Sequence, residues 1–217
     1  MRHIPASDTA HAGVLSFEEA LRPTAADFDR SHWLYVPDHY SEYRYLLGTK
    51  GQHPLVCIGI NPSTAVPDRL DNALKSAERI ALHNGYDSFI MFNVYAQRAT
   101  DPDDMEKELN PVLHRENMKA FSWLLSRFTT VPDLWAAWGA VIEKRAYLPG
   151  CVLDMAEIGQ GFGARWFTAG PRSKAGHPHH PLYLKKDSPL DPFTDLDAYL
   201  HSLQDRERRC PGARSIT

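Results

Sequence analysis

The sequence predicts an α/β fold with three layers, α/β/α, and a mostly parallel central sheet. Four short apolar segments are each bounded by Gly, Pro or Asn, which is typical of strands covered on both faces. These segments are residues 55–60, 88–94, 134–138 and 165–169. Segments with helical periodicity separate them, and this alternation favours parallel strands with helices on both sides of the sheet.

The helical segments carry start and stop signals. Between the first and second strands, six apolar residues recur at helical spacing: Leu70, Ala73, Leu74, Ala77, Ile80 and Ala81. Asp71 lies near the start of this segment, and Gly85 lies just past its end, where a left-handed cap favours glycine. Between the second and third strands, Asn110 and Pro111 predict the N-cap and first residue of another helix.

The length predicts one domain with two extensions. A chain of 217 residues fits a single hydrophobic core, because such cores stop growing near ~250 to 300 residues. We expect an N-terminal extension of residues 1–30, an α/β domain of residues 31–205 and a C-terminal tail of residues 206–217. The first segment has no clear strand pattern and the last is charged and contains Gly and Pro, so both are expected to be less structured.

Composition excludes several classes of protein. With 43% hydrophobic and 24% charged residues the chain is expected to be globular. The apolar runs are far shorter than the ~18 residues that span a bilayer, and the polar start lacks a signal-peptide core, so we expect a cytoplasmic protein without membrane contact.

The three cysteines, Cys57, Cys151 and Cys210, are too few and too widely separated for a disulfide framework or a four-cysteine metal site. The net charge of −3 leaves nucleic-acid binding to a local basic patch.

Polar residues follow the predicted strands, at the edge where parallel sheets bind ligands. Residues 61–63, Asn-Pro-Ser, come after the first strand, Asn93 comes near the end of the second, and Trp138 ends the third. The Asn-Pro-Ser segment is equally compatible with a simple turn. A buried amide without partners costs about 1–3 kcal/mol, so Asn93 is expected either to cap a loop or to bind a ligand.

The loop after the fourth strand is locally basic. Residues 165–186 contain five Lys or Arg, three His and no acidic residue. Serine, glycine and cations together are typical of a phosphate-binding loop, although a solvated loop has the same composition. The residues that we expect to bind phosphates or DNA are Ser63, Arg172, Ser173, Lys174 and Lys185.

The order of these motifs resembles that of the uracil-DNA glycosylase superfamily. Gly59-Ile60-Asn61-Pro62 is similar to the first catalytic motif of its mismatch-specific branch, and Ile90-Met91-Phe92-Asn93 is similar to the strand whose Asn binds the flipped base. Trp138-Gly139 is similar to the Trp-Gly after the third strand, and His177-Pro178 or His180-Pro181-Leu182 to the His-Pro loop. The wider pattern also resembles a bacterial domain family of unassigned function.

The chain departs from the superfamily pattern at two positions. In residues 177–182 of the histidine loop, one residue more than in the superfamily motif separates the first His-Pro from Pro-Leu. His177 and His180 therefore both remain candidates for the catalytic histidine. Ser63 replaces the aromatic residue of the uracil enzymes, which implies a roomier pocket. The iron-sulfur branches are excluded by the cysteine count, and we expect no cofactor and no metal.

The resemblance implies a uracil-DNA glycosylase-like fold and a DNA glycosylase that flips a base out of DNA and excises it. Its role would be in repair or in phage defence, acting on DNA that carries a modified base. Asn61 would position the attacking water, and His177 or His180 would donate to the departing base.

The resemblance also implies a base-binding set and a partner. Asn93 would hydrogen-bond the edge of the base, and Tyr95, Trp138 or Tyr183 would stack on it. We expect DNA as the partner and a monomer as the working form.

Three alternatives remain at this point. The protein could be a noncatalytic nucleic-acid or nucleotide-binding module, which would not release bases. It could be an N-glycosidase of free nucleosides or nucleotides, which fits the net charge of −3. It could also be a hydrolase with a zinc or manganese site formed by His177, His179 and His180 with Asp101 or Asp104, although the intervening prolines make that geometry awkward.

Overall fold

A seven-stranded sheet forms the centre of the computed structural model, which describes residues 2–5 and 13–209. The strands are β1 (Trp33–Val36), β2 (Leu46–Thr49), β3 (Pro54–Gly59), β4 (Ser88–Asn93), β5 (Asp133–Ala136), β6 (Arg165–Ala169) and β7 (Leu190–Pro192). Their order across the sheet is β1-β2-β4-β3-β5-β6-β7. The four central strands are parallel, and the pairings of β1 with β2, β2 with β4 and β6 with β7 are antiparallel.

Helices cover both faces of this sheet, which confirms the predicted three-layer α/β/α fold. The helices are α1 (Phe17–Ala20), α2 (Asn72–His83), α3 (Pro111–Leu125), α4 (Leu148–Gly161) and α5 (Leu196–Arg209). The buried side chains of α2 belong to one apolar cluster, and those of the other four helices belong to a second cluster across the sheet.

Strand β3 shows why the central strands have uninterrupted apolar sequences. Leu55 and Cys57 pack in the cluster beneath α2, whereas Val56 and Ile58 pack in the cluster on the opposite face. Successive side chains of a strand point to opposite faces, so a strand covered on both sides needs apolar residues at every position.

The predicted helix starts are confirmed by their capping contacts. Asp71 accepts a hydrogen bond from the backbone N–H of Leu74 at 3.0 Å and is the N-cap of α2. Asn110 accepts hydrogen bonds from the backbone N–H groups of Val112 and Leu113, both at 3.1 Å, and Pro111 begins α3.

Several elements had no clear sequence signal. Strands β1, β2 and β7 are three or four residues long and pair antiparallel outside the four central strands, where they were not predicted. Helix α4 contains Pro149, Gly150 and Gly159, residues that usually mark turns, yet its buried face packs in the core. Burial of α4 outweighs its low intrinsic helix propensity.

The described parts of the two terminal segments are more structured than the sequence suggested. Phe17 of α1 is buried in the core, and its backbone N–H donates to the Glu116 carboxylate at 2.9 Å. Residues 13–30 therefore include a packed helix rather than a loose extension. Helix α5 continues past the expected boundary at Arg206, whose guanidinium contacts Glu143. The remainder of the expected tail, with Cys210, lies outside the described residues.

The strand order places a crevice at the end of β3. From β3 the chain moves first to β4 on one side and then to β5 on the other. Parallel sheets bind ligands at such a reversal, beyond the carboxyl ends of the strands. None of the helices in the part of the chain that the structure describes is long and apolar enough to cross a membrane.

Candidate functional site

A cavity of about 740 Å³ lies at the carboxyl edge of the central strands. Its size is typical of small-molecule sites. The loops after β3, β4, β5 and β6 contribute to its wall, together with the first turn of α2. Seven residues proposed from the sequence for a glycosylase site line it: Asn61, Ser63, Asn93, Ser173, His177, His180 and Tyr183.

The side-chain amide of Asn61 has a fixed orientation. Its Nδ2 donates to the carbonyl of Ala99 at 2.8 Å and to that of Pro62 at 3.2 Å. Both partners are acceptors, so the atom facing them must be the NH₂ group. The Oδ1 atom is left as a hydrogen-bond acceptor for a molecule in the cavity.

The amide of Asn93 is buried and has no hydrogen-bond partner among the described residues. The residue is 1% exposed, and neither Oδ1 nor Nδ2 makes a hydrogen bond. Gly59, which pairs with Asn93 across the strands, leaves room for the Met91 and Asn93 side chains. A Cβ at position 59 would lie 2.5 Å from Met91 Cε and 3.2 Å from Asn93 Oδ1. An unpaired donor and acceptor at a cavity wall suit a ligand with the complementary pair.

The two candidate histidines differ in their contacts. His177 is buried, with Nδ1 3.0 Å from the Tyr199 hydroxyl and Nε2 3.0 Å from a Glu143 carboxylate oxygen. Both of its ring nitrogens are therefore engaged in holding the loop. His180 accepts a hydrogen bond at Nδ1 from the backbone N–H of Leu182 at 3.3 Å. In the neutral ring Nε2 must then carry the proton, which makes it a donor.

The environment of His180 keeps its imidazole neutral. Burial lowers the pKa of His180 below its ordinary value of 6.5, and the Asp71 carboxylate opposes this effect only in part. Desolvation disfavours the charged form of an imidazole. At neutral pH His180 is therefore an uncharged hydrogen-bond donor, and of the two candidates it is the one with an available ring nitrogen.

Two buried arginines, Arg44 and Arg98, support the loop after β3, and neither was predicted from the sequence. Arg98 donates through Nη1 to the Ser63 carbonyl and, at 3.3 Å, to the Ala65 carbonyl. Arg44, which lines the cavity, donates through Nη1 to the same Ala65 carbonyl at 3.1 Å. Burial, followed by the nearby charge of Arg98, lowers the pKa of Arg44 to about 9. Its apolar neighbours in sequence, Tyr45 and Leu46, were the signal that this arginine would be buried.

Two residues expected to stack on a base lie elsewhere. Tyr95 is fully buried in the core, where its hydroxyl contacts Glu106 and accepts from the backbone N–H of Asn110 at 3.1 Å. Trp138 is also fully buried, and its indole N–H donates to the Tyr199 hydroxyl at 2.8 Å. Neither lines the cavity, because both rings fill the apolar core behind it. The structure therefore does not place either ring where it could stack on a base in this cavity.

The basic residues of the histidine loop lie outside the cavity wall. Arg172 forms an ion pair with Asp195 at 2.6 Å. Lys174 and Lys185 are exposed and form no ion pair with a described residue. Ser173 does line the cavity, and its hydroxyl accepts from the backbone N–H of His177 at 3.0 Å.

The alternative metal site is not assembled. The described residues contain no group of three or more His, Cys, Asp or Glu side chains that could hold a metal ion. His177 is bound to Tyr199 and Glu143, and Asp104 forms an ion pair with Arg2 at 2.9 Å.

A family model described as a protein of unknown function, DUF1643, matches residues 44–182. The chain belongs to this family. The match includes the four parallel strands and the cavity residues from Arg44 to His180, whereas Tyr183, β7 and α5 lie outside it. No curated protein and no solved structure matched the chain.

The first prediction concerns the titration of His180. We expect its imidazole to protonate below pH 6.5 in the folded protein, because burial disfavours the cation. The unfolded chain then binds the proton first on acidification, so this residue lowers the stability as the pH falls through 6.5. Imidazole NMR signals followed from pH 8 to pH 4 would measure the pKa. Comparison with His180→Gln assigns the signal, and a value at or above 6.5 would contradict the burial argument.

The second prediction concerns the stability of Asn93→Leu. The substitution removes two unpaired buried polar atoms, so we expect it to leave the free energy of unfolding unchanged or raise it by about 1 kcal/mol. Asn117→Leu is the matched control, since the Asn117 amide donates to the carbonyls of Asn93 and Val94. Its loss should cost about 1–3 kcal/mol. Urea denaturation measures both, and equal destabilisation would mean that Asn93 is structural.

Proposed function

We propose that this protein is an N-glycosylase that binds a nucleobase in the cavity and hydrolyses its bond to the sugar, with a base flipped out of DNA as the substrate. The observation that carries the proposal is the unpaired amide of Asn93, buried in the same cavity wall as Asn61 and His180. The likeness of the motifs around these residues to those of the uracil-DNA glycosylase superfamily supports the same conclusion.

Base recognition is assigned to Asn93. A side-chain amide presents one acceptor and two donors, which match the adjacent donor and acceptor on the edge of a pyrimidine or purine. The amide is 1% exposed, and no described residue pairs with its donor or its acceptor. A base that pairs with both would satisfy them.

Hydrolysis is assigned to Asn61 and His180. The C1′–N bond breaks with its electron pair moving to the base, and the oxygen of water bonds to C1′. The Oδ1 of Asn61 accepts a hydrogen bond from this water and positions it, but an amide cannot take the proton as a carboxylate can. Bond breaking must therefore run ahead of attack, with the proton passing to solvent. The Nε2–H of His180 donates to the base as negative charge develops there.

The rim of the cavity favours a polymer over a free nucleoside. Leu182 and Tyr183 line the cavity and are 48% and 77% exposed. Exposed apolar side chains beside a base pocket suit contact with neighbouring stacked bases. The exposed Lys174 and Lys185 lie in the same loop region, where cations can neutralise phosphates.

The third prediction tests this function directly. The protein is incubated with DNA containing uracil, mismatched thymine or modified pyrimidines of the phage type, and abasic sites are detected by alkaline cleavage. Free nucleosides and nucleotides are tested in parallel by release of the base. We expect Asn61→Ala to lower the single-turnover rate roughly a hundredfold or more, since a misplaced water slows the reaction by that order. DNA binding should be nearly unchanged.

Asn84→Ala serves as the control for that experiment. Asn84 lies at the far end of α2, where its amide donates to the carbonyls of Ile80 and Ser188. This variant should retain the wild-type rate once it is shown to be folded. Base release from none of these substrates would reject the glycosylase proposal and leave a noncatalytic binding protein.

The fourth prediction concerns DNA binding by the histidine loop. Each phosphate neutralised by a cation adds about −0.9 to the slope of log affinity against log salt. Lys174→Ala should therefore weaken binding to all sequences and reduce the slope by about this amount. Arg172→Ala should have a smaller effect because Asp195 already pairs with it. Lys50→Ala, at the opposite edge of the sheet, should change nothing. Unchanged slopes in Lys174→Ala would favour a nucleoside-sized substrate.

A further inference from the structure

Arg44 is a buried cation in which two of the three guanidinium nitrogens have no hydrogen-bond partner among the described residues. The residue is 1% exposed, and only Nη1 has a partner, the Ala65 carbonyl at 3.1 Å. The Nε and Nη2 atoms make no hydrogen bond with any described residue. No described carboxylate lies within ion-pair distance of Arg44. A buried charge without a counter-ion is costly, so this environment favours the arrival of an anion.

The groups around Arg44 also favour the binding of an anion. Arg98 donates to the same Ala65 carbonyl, which places a second buried cation beside the first. The first turn of α2 also lines the cavity, and a helix N-terminus favours negative charge. Asp71 is the opposing group: it also lines the cavity, and its negative charge acts on Arg44, although the two do not form an ion pair. Its carboxylate accepts the backbone N–H of Leu74 at 3.0 Å as the N-cap.

The shape of the unpaired edge indicates the type of anion. In a planar guanidinium, Nε and Nη2 present two parallel N–H groups, and this fork matches two oxygens of one phosphate or carboxylate group. Ser63, which also lines the cavity, offers a hydroxyl on the loop that Arg44 and Arg98 support. Hydroxyls and helix N-termini are frequent companions of arginine at phosphates.

We infer that the cavity contains a phosphate subsite at Arg44, so that the ligand of this protein carries a phosphate group which the Nε–Nη2 edge binds bidentately. The subsite deepens the proposed function, because the identification of that phosphate as part of a nucleotide rests on it. Anion binding itself needs no turnover, so the two proposals can fail separately.

The fifth prediction is that inorganic phosphate binds to the wild-type protein saturably and competes with a nucleoside monophosphate. Binding is measured by isothermal titration at constant ionic strength, with chloride as the reference anion. Arg44→Met, which keeps the length of the side chain and removes its charge, should weaken phosphate binding about tenfold or more, since hydrogen bonds to charged groups are strong. Arg127→Met, at an exposed arginine that stacks on Trp123, should bind as the wild type does.

The outcomes separate a ligand subsite from a structural arginine. Absence of saturable phosphate binding to the wild type, or equal binding by wild type and Arg44→Met, would overturn the inference. If Arg44→Met does not fold, Arg44→Lys is measured instead. It retains the charge without the fork, and it should bind phosphate several-fold more weakly. Unchanged affinity in that variant would also overturn the bidentate site.

Further arms identify the source of the phosphate. A nucleoside, its 5′-monophosphate and a short oligonucleotide with only internal phosphodiesters are compared for dependence on Arg44. If only the binding of the monophosphate depends on Arg44, the subsite binds a terminal phosphate. If only the binding of the oligonucleotide depends on Arg44, the subsite binds the DNA backbone. Phosphate binding without base release from any substrate would retain the subsite and reject the glycosylase.

Discussion

The parallel pairing of β3 with β4, extended beyond the ends of both strands, is the constraint on which the site depends. Hydrogen bonds from Val94 to the Gly59 carbonyl, Tyr95 to Ile60 and Ala99 to Pro62 continue the contact, at 2.8, 2.9 and 2.9 Å. The two loops are therefore held together along their length. A slip of one residue would turn every following side chain to the opposite face, so this register decides which amides reach the cavity.

Much of the fold follows from patterns of apolar residues. The four central strands and helices α2 and α3 were predictable because burial on both faces of a sheet and capped helical periodicity leave strong signals. Strands β1, β2 and β7 and helix α4 were not, since their formation depends on contacts with distant parts of the chain. Helix α1 was also missed, although Ser16 and Glu19 form a capping box at its start; the burial of its Phe17 depends on Glu116 and the core.

Residues of the candidate site could be predicted where their position at the end of a strand brings them to the cavity. Asn61 and Asn93 follow or end apolar strands, and the structure brings both to one cavity. The choice between the histidines required tertiary contacts, because only the pairing of His177 with Tyr199 and Glu143 shows that its nitrogens are engaged. Arg44 was not predicted to be buried because charge suggests exposure. Its apolar neighbours Tyr45 and Leu46 were a local sign of burial, but the loop that encloses it is distant in the sequence. Both Asn93 and Arg44 have buried polar atoms that no described residue pairs. Such unpaired atoms lower the stability of the folded protein, and a ligand that paired with them would offset this cost.

The Tyr199 hydroxyl links the loop after β5 to the histidine loop, since it accepts a hydrogen bond from the Trp138 indole N–H and contacts Nδ1 of His177. Tyr199 belongs to α5, which lies beyond the segment matched by the family model. The histidine loop is thus braced by a part of the chain that carries none of the motifs. Chains that share the motifs but differ in their last helix can therefore differ in the shape of the cavity without a change in any residue that lines it.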